Sequence, residues 1–533
     1  MPSRPLLLKR LLALPPTLRR SFWSSSSTNT TTTPPSPSQP ELYDIVCVGG
    51  GPAGLSFLAA LHSHPATRSL KTALIDTQDL TTSRSANDAN DAYSNRCSSL
   101  TPASLRFLKD IGAWEHVDRR RVQPYHAMDV WDGVSGSRMH FDPMDREGGA
   151  GGLLGSLAEM LPGSRFQASR RKYETAGMEE EAGVVATMCE NMNLTAALLQ
   201  RLKELQKEGT GVKMLDKTKV DSIQLGSAPA SDTAPDLSQW PVVTTPTGDR
   251  LAARVLIGAD GANSPVRTFA NIPAHGWDYN QHGVVATLTL APPSTPTPFH
   301  TAYQRFLPTG PIALLPLPNN QASLVWSTTP HHAQTLKTLS PTNFTAAITA
   351  AFHLLPTDLT HLLTHPNLSY PSELTWRLPA TPAKTTNLPA NFPTITHLQE
   401  NTRAAFPLRY RHASTYTSPH LALLGDAAHT IHPLAGQGLN LGLADARALA
   451  HVLADGVQHG MDIGTEGCLD SYSAERWGRN NAVLGAVDKL QKVYSVGSGP
   501  VVWGRSLGVE VFERLGGLKG LVMGAAGGGS GGR

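Results

Sequence analysis

The sequence predicts an α/β fold: a Rossmann-like nucleotide-binding domain assembled from distant segments, with a β-sheet domain inserted between them and a helical C-terminal region. Three runs predict it: Asp44-Ile-Val-Cys-Val-Gly-Gly-Gly-Pro-Ala-Gly54, Val255-Leu-Ile-Gly-Ala-Asp-Gly261 and Leu424-Gly-Asp-Ala-Ala-His429. Each reads as a short apolar strand running into a turn that bears Gly, and the last two turns also bear Asp.

The first strand ends in Gly49-x-Gly51-x-x-Gly54 and enters an apolar helical stretch, Leu55 to Leu61. Glycines suit that turn because it is tight, because a Cβ would hold the backbone off a pyrophosphate, and because the third lets helix pack on strand. The helix N-terminus offers free N–H groups and partial positive charge to a phosphate. Loops produce this pattern by chance, so the next strand matters: Lys71 to Ile75 ends at Asp76, 22 residues past Gly54. An acid near that distance meets a ribose hydroxyl in a βαβ unit of about 30 residues. Together the three runs read as one flavin dinucleotide site.

The chain resembles the aromatic-ring-hydroxylating flavoprotein monooxygenases, and within them the ubiquinone-biosynthesis hydroxylases. The resemblance rests on Tyr93 to Ser104, Ala259 to Arg267, Tyr303 to Phe306 and above all Gly425 to Asn440, and covers about residues 41 to 515. It implies FAD, with Gly49, Gly51, Gly54, Asp76, Arg96, Asp260, Gly261, Asp426, Pro433, Gly436, Gly438 and Asn440 around it. Asp260 and Asp426 are expected near the pyrophosphate and ribityl chain, and Arg96 along the cofactor. A helix starting near Gly436 and aimed at the flavin pyrimidine would stabilise the anionic reduced ring. His429 and His432 are expected to be hydrogen-bonded framework rather than catalyst or metal pair.

The implied chemistry is centred on the flavin: a hydroperoxide of reduced FAD hydroxylates a ring carbon ortho to a phenol, with no residue needed as nucleophile. The implied substrate is a polyprenyl-4-hydroxybenzoate-type intermediate of ubiquinone biosynthesis, with molecular oxygen. Tyr303, Arg305 and Phe306 are candidates for the substrate side, and strand packing explains them equally well. No second dinucleotide fingerprint is present, which leaves NADPH open as electron donor; the resemblance implies a ferredoxin and its reductase as the other candidate. Other ubiquinone-pathway proteins and peripheral membrane contact are expected partners. Two alternatives share the fold: an FAD-dependent reductase or dehydrogenase of a prenyl lipid, and a non-catalytic prenyl-binding protein.

Composition suits a large enzyme, with 533 residues and 40% hydrophobic content. No apolar stretch approaches the roughly 18 residues of a spanning helix. Cys47, Cys97, Cys189 and Cys468 lack metal-ligand spacing and read as reduced, and no metal site is expected. Residues 1–40 contain Arg4, Lys9, Arg10, Arg19 and Arg20, no acid, and many Ser and Thr, the make-up of a mitochondrial presequence. Without those five charges the formal +3 becomes −2, so the basic balance does not point to nucleic acid. The expected location is the mitochondrial matrix, at the inner membrane.

Residues 41–270 are expected to form the first part of the FAD domain, with a glycine-rich, then charged, flexible insertion over 142–183. The substrate domain is expected over 271–400, the last part of the FAD domain over 401–455, and helices with a flexible tail over 456–533. Helical text covers Pro102 to Trp114, Asn193 to Leu205 and Thr342 to Leu363; strands include Val284 to Leu288 and Ala322 to Ser327. After Ser471 come Tyr472, Arg476 and Asn480, then Val483, Val487, Leu490 and Tyr494 at helix spacing, and later Trp503, Leu507, Val511 and Leu515. That text fits a helix packed on its own domain or an apolar face admitting a polyprenyl tail.

Overall fold

A computed structural model describes residues 39–80, 92–142, 183–209, 211–229, 235–293, 299–382, 388–389, 391–499 and 502. The basic leader apart from Gln39 and Pro40, the body of the 142–183 insertion, the stripe from Trp503 to Leu515 and the glycine tail lie outside the described residues.

The nucleotide-binding sheet is built on parallel strands. In spatial order these are Leu421–Leu423, Arg250–Gly258, Glu41–Val48, Thr72–Ile75 and Val212–Leu215. Residues such as Ile45, Val46, Leu74, Leu256, Ile257 and Leu423 are fully buried, as expected for a parallel sheet covered on both faces. Helix Pro52–Ser63 packs against both Asn191–Lys207 and Gln437–Gln458, so the first and last cofactor motifs share one core.

The second sheet is mixed and nine-stranded. Its order runs His429–Thr430, Ala404–Ala413, Ala274–Leu290, Gln321–Thr328, Gly310–Leu317, Thr301–Leu307, Ala127–Asp132 and Arg138–Phe141, with Ile395–Leu398 also on Ala274–Leu290. One face is covered by helices Pro330–Thr338, Pro341–His353, Pro356–Thr364 and Tyr370–Ala380, over a core that includes Trp131, Trp326, Phe344 and Phe352. A three-stranded sheet, Cys97–Leu100, Ala186–Glu190 and Val122–Tyr125, lies elsewhere in the fold.

The helical text over Thr342 to Leu363 folds as two helices, because Pro356 disfavours helical geometry at Leu355 and restarts the chain as a first-turn residue. The boundaries at 270 and 400 do not match the strand pairing. Ala127–Phe141, placed with the FAD domain, pairs through Ala127–Asp132 to Thr301–Leu307, and Ala404–Ala413 pairs with Ala274–Leu290. The hydrogen-bond partners of these strands lie far off in sequence, so local text did not assign them.

The C-terminal region contains one 30-residue helix, Glu466–Ser495, whose buried side carries Tyr472, Arg476, Asn480, Leu484, Val487 and Gln491. Among the described residues no helix is long and apolar enough to cross a membrane.

Candidate active site

The three sequence runs meet at the carboxyl ends of adjacent parallel strands. Val48 pairs with Gly258, and Gly258 with Leu423. The ladder continues past the strands: Ala259 N–H donates to Val48 O at 2.8 Å and Leu424 N–H to Gly258 O at 3.0 Å. Gly49, Asp260 and Gly425 therefore emerge side by side, where a doubly wound sheet binds its nucleotide.

The glycines divide into two kinds. At Gly49, with φ +112°, a Cβ would lie 2.2 Å from Ala259 O, and at Gly54 it would lie 2.1 Å from Gly49 O. Both are needed for backbone contact. Gly51 has φ −73° and a Cβ there would meet nothing within 4 Å, so its missing side chain leaves room beside the first turn of helix Pro52–Ser63. That helix has no side-chain cap and opens with Pro52, leaving N–H groups for an anion. A Cβ on Gly261 likewise meets nothing.

Asp76 is half-buried, and its carboxylate accepts from Gly50 N–H and Gln78 N–H, closing the glycine turn against the second strand. Asp260 accepts from Val266 N–H with Oδ2 at 3.2 Å, while its buried Oδ1 has no partner. Burial raises its carboxyl pKa against the hydrogen bonds of Ser264 and Val266. Asp426 is exposed at the turn. Desolvation by the surrounding protein raises its carboxyl, with His429 opposing. Arg96 is exposed.

The run from Gly425 to Asn440 folds as two short turns leading into helix Gln437–Gln458. Gly436 takes a left-handed φ of +59° at the helix start, with no side-chain cap and no acid in the first turn, so the positive end of the helix stays available. Pro433 opens the preceding turn, and a Cβ on Gly438 would stand 3.7 Å from Ile431. The Asn440 side chain is fully used within the protein: Oδ1 accepts from Thr101 N–H and Ser104 Oγ–H, and Nδ2 donates to Ser99 O and Gly436 O. It ties the segment after Arg96 to the helix start.

His429 and His432 are buried and hydrogen-bonded to protein. His429 Nε2–H donates to Asp445 Oδ2 at 2.6 Å; His432 Nδ1 accepts from Leu434 N–H and Nε2–H donates to Gln281 Oε1. Asp445, Arg476 and Asn480 were not singled out for a role by sequence reasoning, although a charged residue on the inward face at Arg476 was a signal.

Strand alternation divides the three residues named as substrate-side candidates. Tyr303 and Arg305 point into the helix-covered core: Tyr303 donates to Asn391 O at 3.0 Å, and fully buried Arg305 donates to Ala351 O at 2.9 Å. Burial lowers the Arg305 guanidinium to about 10. Phe306 points the other way, clustered with Leu434 of the cofactor run and with Val487, and stacked on Tyr494 at 3.9 Å.

A protein family described as an FAD binding domain matches residues 42–362 and 383–486. The ubiquinone biosynthesis monooxygenase COQ6 of Schizosaccharomyces pombe is 37% identical over 485 residues, covering 90% of this chain and 91% of that protein. The chain belongs to the COQ6 family of FAD-dependent monooxygenases. The Saccharomyces cerevisiae COQ6 is 35% identical across 92% of this chain and 95% of its own length, and the human one 32% across 91% and 92%. Among solved structures, Pseudomonas putida p-nitrophenol 4-monooxygenase PnpA superposes with TM-score 0.59 at 16% identity, covering 92% of this chain and 100% of its own. Pseudomonas aeruginosa PqsL gives 0.57 at 20%, covering 88% and 100%. These two share the fold.

FAD, the cofactor of this COQ6-family chain, fits the residues present. The space beside Gly51 and Gly261, the uncapped helix starts at Pro52 and Gln437, the unpartnered Asp260 Oδ1 and the exposed Arg96 all suit a polar, phosphate-bearing group.

Proposed function

We propose that this chain hydroxylates the aromatic ring of a polyprenylated 4-hydroxybenzoate-type intermediate of ubiquinone biosynthesis, at the matrix face of the mitochondrial inner membrane. The observation that carries this is the convergence of Gly49, Asp260 and Gly425 on one sheet end, in a chain whose relatives are named mitochondrial ubiquinone biosynthesis monooxygenases. Bound FAD supplies the activation of dioxygen from which one oxygen atom enters the ring. The protein's part is to bind, orient and exclude water. The turn at Gly51 and the uncapped N-terminus of helix Pro52–Ser63 would hold the diphosphate, with Gly261, Asp260 and Arg96 as its other holders. Asp426 would hold the ribityl hydroxyls, and the uncapped helix start at Gly436 would stabilise negative charge on the flavin. Phe306 and Leu434 offer an apolar wall that keeps water from the reacting centre.

Electrons arrive from ferredoxin and its reductase or from NADPH, and the lipid substrate calls for peripheral membrane contact or help from other proteins of the pathway. The basic leader supports mitochondrial import. The test is lipid analysis of cells lacking this protein, complemented with wild type or Asp426→Ala. Wild type should restore ubiquinone, while Asp426→Ala should leave an under-hydroxylated prenyl phenol. Normal ubiquinone without the protein refutes the function.

A further inference from the structure

The stripe Tyr472, Arg476 and Asn480 on helix Glu466–Ser495 has no part in the cofactor contacts above, yet it is buried and polar. Its target is Asp445, on helix Gln437–Gln458, whose side chain is completely shielded from solvent. Four donors converge on that carboxylate. Oδ1 accepts from Arg476 Nε–H at 2.8 Å and Asn480 Nδ2–H at 3.0 Å; Oδ2 accepts from His429 Nε2–H at 2.6 Å and Gly425 N–H at 3.3 Å. Arg476 also donates to Asn480 Oδ1 at 2.7 Å, and Asn480 to Tyr416 OH at 3.1 Å. Tyr472 OH donates to Leu423 O, on the strand that feeds the Gly425 turn, at 2.7 Å. Gly425 and His429 are the two ends of the turn that presents Asp426.

We propose that Asp445, held by Arg476 and Asn480, is the positioning residue of the Asp426 turn, so that the C-terminal helix sets FAD affinity without touching FAD. The proposal rests on the reading that Asp426 faces the cofactor. Gly425 sits at a left-handed φ of +60°, and a turn so constrained holds one geometry when both its ends are tied. Asp445 ties both ends with one carboxylate. Desolvation works against its ionised form, and His429 and Arg476 outweigh it and hold the carboxyl below its ordinary range.

The test separates positioning from bulk stability by measuring FAD dissociation constants by fluorescence titration beside apo-protein melting midpoints. Asp445→Asn should weaken FAD at least about tenfold and lower the midpoint, because it strands the Arg476 cation. The double variant Asp445→Leu/Arg476→Met removes that stranded charge together with both acceptor oxygens. Its midpoint should recover most of the loss while FAD stays at least about tenfold weak, because leucine accepts from neither Gly425 nor His429. Affinity within twofold of wild type in Asp445→Asn, or recovered together with the midpoint in the double variant, overturns the proposal. If neither variant folds, Asp445 is a determinant of the fold and the proposal fails. Asp426→Ala distinguishes the underlying reading: if it binds FAD like wild type, the placement of the cofactor is wrong, whereas loss there with affinity retained in Asp445→Asn refutes only the role of Asp445.

Discussion

Two buried clusters brace the Gly425–Asn440 run from opposite ends, and they differ in chemistry. Under the first turn lies a charged cluster, Asp445 with Arg476 and His429. Under the second lies a neutral one: Gln281 Oε1 accepts from His432 and Gln491, and Gln281 Nε2 donates to Thr309 O at 2.8 Å. Both fix backbone beside the cofactor. The charged cluster gains rigidity at the cost of two desolvated ions, which are tolerable only while paired. The neutral cluster costs little to bury but depends on His432 staying unprotonated, since Nδ1 must accept from Leu434 N–H.

The largest effect should come from breaking the charged cluster. Arg476→Ala leaves the Asp445 carboxylate buried without its guanidinium partner, and should cost about 3–5 kcal/mol of unfolding free energy by urea denaturation. A loss below about 1 kcal/mol would mean that the pair is dispensable and the two clusters are equivalent.

Neither cluster was legible as such, and the reason is physical. Gly49-x-Gly51-x-x-Gly54 and Gly425 to Asn440 are local patterns imposed by one ligand on contiguous backbone, so they can be read in one stretch of text. Asp445 and Arg476 lie 31 residues apart, and Gln281 and Gln491 lie 210 apart. Each pairing is made by tertiary packing. Arg476 left a trace, being charged on a buried helical stripe. Tyr303 and Arg305 show the opposite failure. They stand next to Phe306 in the chain but on the other face of the strand, and alternation alone does not say which face meets the substrate.

A smaller effect is acid sensitivity, carried in the neutral cluster by His432. Burial lowers His432 from its ordinary value to about 4. The unfolded ring takes a proton near pH 6.5 and the folded ring does not, so this stability is complete above pH 6.5 and is lost as pH falls toward 4. His412 behaves alike: burial lowers it to about 4, and its Nε2 accepts from Tyr416 OH at the outer end of the charged cluster. Unfolding measured from pH 4 to 7 should therefore take up about one proton fewer near pH 5 in His432→Gln than in wild type. An unchanged slope would show that His432 does not carry the acid sensitivity of its cluster.

Smaller again is Gln491→Leu. It removes one neutral hydrogen bond, and Gln281 keeps its contact with His432, so the loss should be about 1 kcal/mol by the same urea assay. A loss equal to that of Arg476→Ala would erase the distinction between the clusters.

The least effect on the fold should accompany complete loss of the cofactor. Gly51 lies outside both clusters, its φ of −73° suits any residue, and a Cβ there meets no protein atom within 4 Å. Gly51→Val should leave the apo-protein melting midpoint within a few degrees of wild type, because nothing is displaced and no left-handed geometry is strained. The branched side chain would instead occupy the space beside the helix N-terminus where the diphosphate sits, so flavin absorbance should be absent even after reconstitution with excess FAD. A variant that melts like wild type and still turns yellow would place the diphosphate elsewhere. One that loses both stability and flavin would show that the space beside Gly51 is needed by the protein itself.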